Sequence, residues 1–221
     1  MAARRLDAPA LRSWAHTAVA DLIIHTDEIN RLNVFPVADA DTGTNMLFTM
    51  RAAWAHADAG AAVGDVAQIA AAMAEGALRG ARGNSGVILS QILRGVAEAT
   101  AAAADDRGAL ADIDGTLFGA SLRRAAALVI TSMGEAIPGT ILSVLQDAAT
   151  AAEQSAADGA ELAEVVTASA EAAAVALDHT PSQLDVLAEA GVVDAGGRGL
   201  LVLLDALTAT LLMLSPFDLN Y

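Results

Sequence analysis

Asn33-Val34-Phe35-Pro36-Val37-Ala38-Asp39-Ala40-Asp41-Thr42-Gly43-Thr44-Asn45 is the stretch on which the fold turns. Pro36 blocks continuation of any preceding helix. The Gly43-Thr44-Asn45 turn then opens a new one. Two carboxylates, Asp39 and Asp41, stand just ahead of that opening. Carboxylates this close repel each other unless a cation sits between them. The helix N-terminus beyond them offers backbone N–H groups and a positive dipole end to an anion. A divalent metal and a phosphate together would satisfy both halves of the segment, so magnesium-nucleotide binding is the first expectation. A turn followed by an Asp/Thr helix cap uses the same residues for structure alone. The spacing by itself leaves both open. An EF-hand loop is excluded: counted from Asp39, the sixth position is Thr44 rather than Gly and the twelfth is Met50 rather than Glu.

The composition around this segment points to helices. The chain has 221 residues, of which 55% are hydrophobic and only 3% aromatic. Such a chain can build a sizeable core, and that core must be aliphatic and alanine-rich. Alanine is the best helix former and lets helices approach closely. Cysteine and lysine are absent; all 12 basic residues are arginine. Disulfides, zinc-thiolate sites, a cysteine nucleophile, a lysine-dependent phosphate loop and a Schiff base are therefore excluded. The formal charge of −15 argues against nucleic acid and against an anionic membrane surface. No long apolar stretch marks a secretory signal. The run Leu200 to Leu214 is interrupted by Asp205 and reads as a buried helix rather than a membrane span. A cytoplasmic location is expected.

The breaks divide the chain into helices at about Pro9–Arg31, Asn45–Ala57, Gly64–Arg79, Val87–Ala103, Thr116–Ala136, Thr140–Ala156, Ala160–Asp178 and Gly199–Leu214. A short helical segment is expected near Ser182–Glu189, and Asp105–Gly115 reads as a loop. No alternating strand is evident and no linker divides the chain. One all-α domain spanning residues 1–221 is expected.

Three further breaks repeat the grammar of the first. Gly80-Ala-Arg-Gly83-Asn84-Ser85-Gly86, Gly139-Thr140 and Asp194-Ala195-Gly196-Gly197 each place small or hydroxyl residues where a helix begins. Each alone suits an ordinary helix–helix connection. Gathered at one end of an antiparallel bundle, such N-termini would form an anion site without a β-sheet. His16, His25, His56 and His179 show no metal-ligand spacing, and no Ser-His-Asp set is indicated.

The segment Leu32 to Met46 resembles the signature of the bacterial fatty acid kinase N-terminal domain, a member of the nucleotide-binding L-subunit family of dihydroxyacetone kinases. Gly80-Ala-Arg-Gly-Asn-Ser-Gly-Val-Ile-Leu-Ser90, Pro138-Gly-Thr-Ile-Leu-Ser-Val144 and Ala190-Gly-Val-Val-Asp-Ala-Gly-Gly197 agree in the same order. The resemblance implies an eight-helix antiparallel barrel that holds ATP or ADP at one end with Mg²⁺, two ions in this family. Carried over, Asp39 and Asp41 are metal ligands. Asn33 stands as a neutral, weaker ligand where the dihydroxyacetone kinase branch has an aspartate. Thr42, Gly43, Thr44 and Asn45 would contact phosphate or metal, and Asn84, Ser85 and Gly86 the phosphate and ribose. Thr140 and Ile141 would border the base, while Asp194, Ala195 and Gly196 would close the pocket.

Where fatty acid kinases usually read Pro-Asp-Gly-Asp, this chain reads Ala38-Asp39-Ala40-Asp41. Ala40 replaces a glycine, and Pro138 replaces an acidic residue. If position 40 requires φ > 0, alanine there costs about 1 kcal/mol. The resemblance implies phosphoryl transfer to a fatty acid carboxylate presented by a fatty-acid-binding partner protein, and a homodimer is compatible with it. Fatty acid kinases carry further domains after this one, so the chain is expected to be an N-terminal portion of a longer protein or a stand-alone relative. A dihydroxyacetone kinase-type L subunit and a non-catalytic nucleotide-binding helical module stay open as alternatives.

Overall fold

The computed structural model describes residues 5–59, 65–134 and 136–212. Eight long helices carry the fold: α1 (Ala8–Leu32), α2 (Thr42–Ala59), α3 (Val66–Gly80), α4 (Gly83–Arg107), α5 (Gly115–Met133), α6 (Ile141–Ala157), α7 (Leu162–Gln183) and α9 (Ala195–Leu212). A short α8 (Asp185–Ala190) links the last two. The expected starts and ends at Gly64 and Leu214 lie outside the described residues.

Several helices begin where a side chain can take up an orphan N–H group. Asp7 accepts from Ala10 N–H at 2.8 Å, with Pro9 in the first turn. Asp65 accepts from Ala67 N–H at 2.9 Å and Asp114 from Leu117 N–H at 2.7 Å. Gly134 and Gly191 end α5 and α8 in the left-handed conformation.

Consecutive helices pack side by side, and α9 returns to α1 and closes the ring. Neighbours run antiparallel. Arg198 at the start of α9 meets Glu28 near the end of α1, whereas Leu203 further along accepts from Trp14 near the start of α1. Small residues make close approach affordable: a Cβ on Gly95 of α4 would lie 2.5 Å from the backbone of Ala125 on α5. The interior is aliphatic, with Leu22, Ile29, Met46, Met50, Ile69, Met73, Leu89, Leu142 and Leu145 fully buried. By length and composition α4 and α9 could cross a membrane. Burial on nearly every face makes α9 a core helix instead.

Three details differ from the sequence expectation. α2, α4 and α9 begin earlier, because the Thr42, Gly83 and Ala195 motifs form first turns rather than preceding loops. Residues read as loop contain a two-residue strand, β2 (Asp112–Ile113), paired antiparallel with β1 (Leu6–Asp7). Finally, α7 runs through Pro181. Proline leaves the carbonyl four residues back without its donor. The Thr180 hydroxyl supplies one, donating to Leu177 O at 2.7 Å.

An even, alternating ring has a direct consequence. The N-termini of α2, α4, α6 and α9 share one end of the barrel, opposite those of α1, α3, α5 and α7. All four glycine or hydroxyl motifs therefore meet at one end.

Candidate functional site

Helices α2 and α4 build the open half of that end. A cleft of about 200 Å³ is lined by Asn33, Phe35, Pro36, Val37, Asp39, Asp41, Thr42, Gly83, Asn84 and Ser85. The two helix starts touch directly: Ser85 Oγ donates to Thr42 Oγ1 at 3.4 Å. Asp39 is exposed and Asp41 half-buried at the mouth. Neither carboxylate takes part in an ion pair among the described residues.

The loop carrying these carboxylates is held from below by one side chain. Asn33 is buried, and its Oδ1 accepts from Asp41 N–H at 3.1 Å and from Thr42 N–H at 3.3 Å. Its Nδ2 donates to Val37 O at 3.0 Å and to Phe35 O at 3.4 Å. The oxygen expected to ligate a metal is thus engaged by two backbone donors, and Asn33 shapes the loop that presents Asp39 and Asp41. Ala40 sits between them at φ 54°, the sole non-glycine residue with positive φ among the described residues. The strain anticipated for alanine at this position is therefore present.

Several other expected contacts face inward. Thr44 is gripped by Asn30 of α1: its N–H donates to Asn30 Oδ1 at 3.2 Å, and its hydroxyl accepts from Asn30 Nδ2 at 3.0 Å. Gly43 packs so tightly that a Cβ would lie 2.6 Å from Thr26 O. The buried Asn45 side chain lies against Gly83, which has φ +57°, and Gly86 lies against Thr49 Oγ1. Of the residues expected on phosphate or ribose, Thr42, Asn84 and Ser85 line the cleft. Gly43, Thr44, Asn45 and Gly86 set the spacing of α1, α2 and α4.

The second half is closed. Asp194 is 5% exposed, and its Oδ2 accepts from Gly197 N–H at 2.7 Å. Its carboxylate also accepts from the backbone N–H groups of Gly196 and of Ile141 at the start of α6. One buried carboxylate thus bridges two helix N-termini. Burial pushes its pKa up to about 6, against the pull of those three donors. Asp194 N–H donates to Thr180 Oγ1 at 3.0 Å, so the hydroxyl that mends the proline defect in α7 also anchors this carboxylate. Thr140 caps α6, its Oγ1 accepting from Leu142 N–H at 3.4 Å. Thr140, Ile141 and Ala195 are buried. The structure places Thr140, Ile141, Asp194, Ala195 and Gly196 together, in a packed knot rather than along the α2/α4 cleft.

Arg198, one turn into α9, ties this knot to α1. Its Nε donates to Glu28 Oε1 at 2.7 Å, and its Nη2 lies 3.4 Å from His25 Nδ1. Burial works to raise the Glu28 pKa, but the hydrogen bonds from Arg198 and His25 outweigh it and hold the carboxyl below its ordinary value. Asp205, one helical stripe further along α9, is pushed up to about 6 by burial. Asn30, Thr180 and Arg198 escape sequence reasoning. Each acts through a partner distant in the chain, and nothing in its own neighbourhood announces it.

The donor set suits magnesium. Among the described residues no three acidic, histidine or cysteine side chains converge as a complete metal cage. Mg²⁺ characteristically binds through one or two carboxylates, taking its other ligands from water and substrate phosphate. Two carboxylates outside any ion pair, beside the exposed start of α4, are that kind of partial site.

Comparison with known proteins agrees with this geometry. Residues 36–209 match the DAK2 domain. The chain is 35% identical over 211 residues to protein YloV of Bacillus subtilis, covering 96% of this chain and 37% of that protein. An uncharacterised protein of Staphylococcus saprophyticus is 37% identical over 178 residues, covering 80% of this chain and 31% of that one. The chain thus spans about a third of the length of these relatives. Two crystal structures of the dihydroxyacetone kinase of C. freundii, one native and one in complex with AMP-PNP and Mg²⁺, share the fold. Each has a TM-score of 0.62 and 19% identity, covering 89% of this chain and 33% of the other.

Proposed function

The chain belongs to the DAK2 domain family, and from that premise we propose that it binds Mg²⁺-ATP at the α2/α4 cleft and supports phosphoryl transfer to a fatty acid carboxylate presented by a fatty-acid-binding partner protein. The observation that carries this is the pair Asp39 and Asp41, unpaired and projecting over the joined starts of α2 and α4. Carboxylates in that position favour a cation, and the N–H groups beneath favour an anion. A magnesium-bound polyphosphate satisfies both. Asp39 and Asp41 would hold the metal, which when bound supplies neutralisation of phosphate charge.

The chain's own residues do the rest. Asn33 fixes the carboxylate loop. Thr42 and Ser85 offer hydroxyls at one point of the cleft, and the first turn of α4 offers N–H groups beside them. In the transfer an acceptor carboxylate oxygen bonds to the terminal phosphorus while the bond to the leaving ADP oxygen breaks. An ionised carboxylate has no proton to lose, so no general base is required. Catalysis then rests on positioning and preorganised charge stabilisation. The fatty acid acceptor is supported by the wording of the Leu32–Met46 segment and by Asn33 standing where the dihydroxyacetone kinase branch has an aspartate.

ATP turnover with the longer protein separates the acceptors. Acyl phosphate formation with a fatty-acid-loaded carrier, and none with dihydroxyacetone, is the expected result. Turnover of dihydroxyacetone alone would reassign the acceptor. Binding without turnover of either would leave a nucleotide-binding module.

A further inference from the structure

We propose that Arg82 is a phosphate-contacting residue of this site and gives it a preference for a nucleoside triphosphate over a diphosphate; this rests on the nucleotide reading above. The cleft lining contains two carboxylates, two hydroxyls and two amides but no cationic side chain. A Mg²⁺-bound triphosphate keeps a net negative charge, the two carboxylates add to it, and the terminal phosphoryl group is where charge redistributes in transfer. The chain has no lysine, so a basic side chain at the cleft must be an arginine.

Most arginines are committed elsewhere. Arg5, Arg79, Arg94, Arg107, Arg123, Arg124 and Arg198 each pair with a carboxylate. Arg12 donates to Ala57 O. Arg51 lies midway along α2, and Arg31 closes the last turn of α1, where a cation favours the negative helix end. Arg82 differs in both place and partner. It is the residue immediately before Gly83, Asn84 and Ser85 of the cleft, at the N-cap position of α4. Its backbone N–H donates to Thr49 Oγ1 at 3.4 Å, fixing the residue to α2.

Its guanidinium lies 4.1 Å from the centroid of the Phe48 ring. Phe48 is 37% exposed, against 6% for Phe118 on α5, and its ring serves as the platform. Stacking engages the face of a guanidinium and leaves its N–H groups free in the plane, the geometry that grips phosphate oxygens in pairs. No carboxylate takes those edges among the described residues. Phe48 thus orders the cation of the residue that adjoins the cleft-lining Gly83, without neutralising it.

The test is calorimetric titration of Mg²⁺-ATP and Mg²⁺-ADP into the wild-type chain, Arg82→Ala, Arg82→Lys, Phe48→Ala and, as a neighbouring cation, Arg31→Ala. All are surface changes, and equal melting temperatures without ligand check that they fold. Arg82→Ala is expected to lower ATP affinity about tenfold and ADP affinity less than twofold, the scale of a lost charge-assisted pair. Phe48→Ala should give a smaller loss with the same ATP selectivity, and Arg82→Lys should restore only part. An Arg82→Ala chain with unchanged ATP affinity, equal losses for ATP and ADP, or an equal loss in Arg31→Ala overturns the assignment. A wild-type chain that binds neither nucleotide overturns the nucleotide reading itself, and this inference with it.

Discussion

The two halves of the functional end use one sequence grammar to opposite effect. At α2/α4, an aspartate pair precedes a Gly-rich helix start and projects outward. At α6/α9, the aspartate of Asp194-Ala-Gly-Gly turns inward and is nine-tenths or more buried. At α6/α9 the N–H groups of two helices converge on Asp194, and at α2/α4 the hydroxyls of Thr42 and Ser85 meet where the two helices start. In one the convergence faces a cleft; in the other the chain's own carboxylate fills it. The difference teaches that a glycine-rich helix start provides an anion site, and that tertiary packing decides whether the anion is a ligand or a side chain of the protein.

Removing each carboxylate is the sharpest way to break this contrast. Asp194→Ala strips the acceptor from the N–H groups of Ile141, Gly196 and Gly197. Urea unfolding should show a loss of about 4 kcal/mol. Asp39→Asn and Asp41→Asn should stay within about 0.5 kcal/mol of the wild type in the absence of ligand. Equal losses in the two regions would erase the distinction.

The same contrast should appear in pH dependence. The Asp194 pKa is raised from 3.8 to about 6 in the folded state, so the native protein holds this proton more tightly than the unfolded chain. Its contribution is complete below about pH 4 and is lost as the pH rises through 6, a decline of about 3 kcal/mol. Asp205, also raised to about 6, adds in the same direction. Stability measured between pH 4 and 7 should therefore fall. Asp194→Asn should flatten the slope, whereas Asp39→Asn should leave it unchanged.

The smallest effect concerns strain in the open half. Ala40→Gly relieves the positive φ but adds freedom to the unfolded chain, so the net gain is about 0.5 kcal/mol. Mg²⁺-dependent nucleotide affinity should rise modestly with it. A loss of affinity would show that the loop is held as it should be by alanine.

Much of this was legible in the chain. Pro36, the glycine breaks and the alanine-rich periodicity mark the helices, and an even count in alternating directions brings alternate helix starts together. Asp39, Asp41, Thr42, Asn84 and Ser85 stand at one cleft, as their motifs suggested. What the chain withholds is side-chain direction. Asp41 and Asp194 look alike locally, and burial by α6, α7 and α9 separates them. Asn33 looks like a ligand until its amide is found holding Asp41 and Thr42. The helix expected to end at Asp178 runs on through Pro181, and the Thr180 hydroxyl that makes this possible is visible only in three dimensions. The two-residue strands are too short to leave a pattern.

The most direct measurement is thermal unfolding of the wild-type chain and of Asp39→Asn/Asp41→Asn with ATP, with Mg²⁺, and with both. A metal-held nucleotide at the α2/α4 cleft predicts stabilisation that needs both ligands together and disappears in the double variant, whose own melting temperature is unchanged. A well-folded wild-type chain with no shift, or a shift that survives loss of both carboxylates, would contradict it.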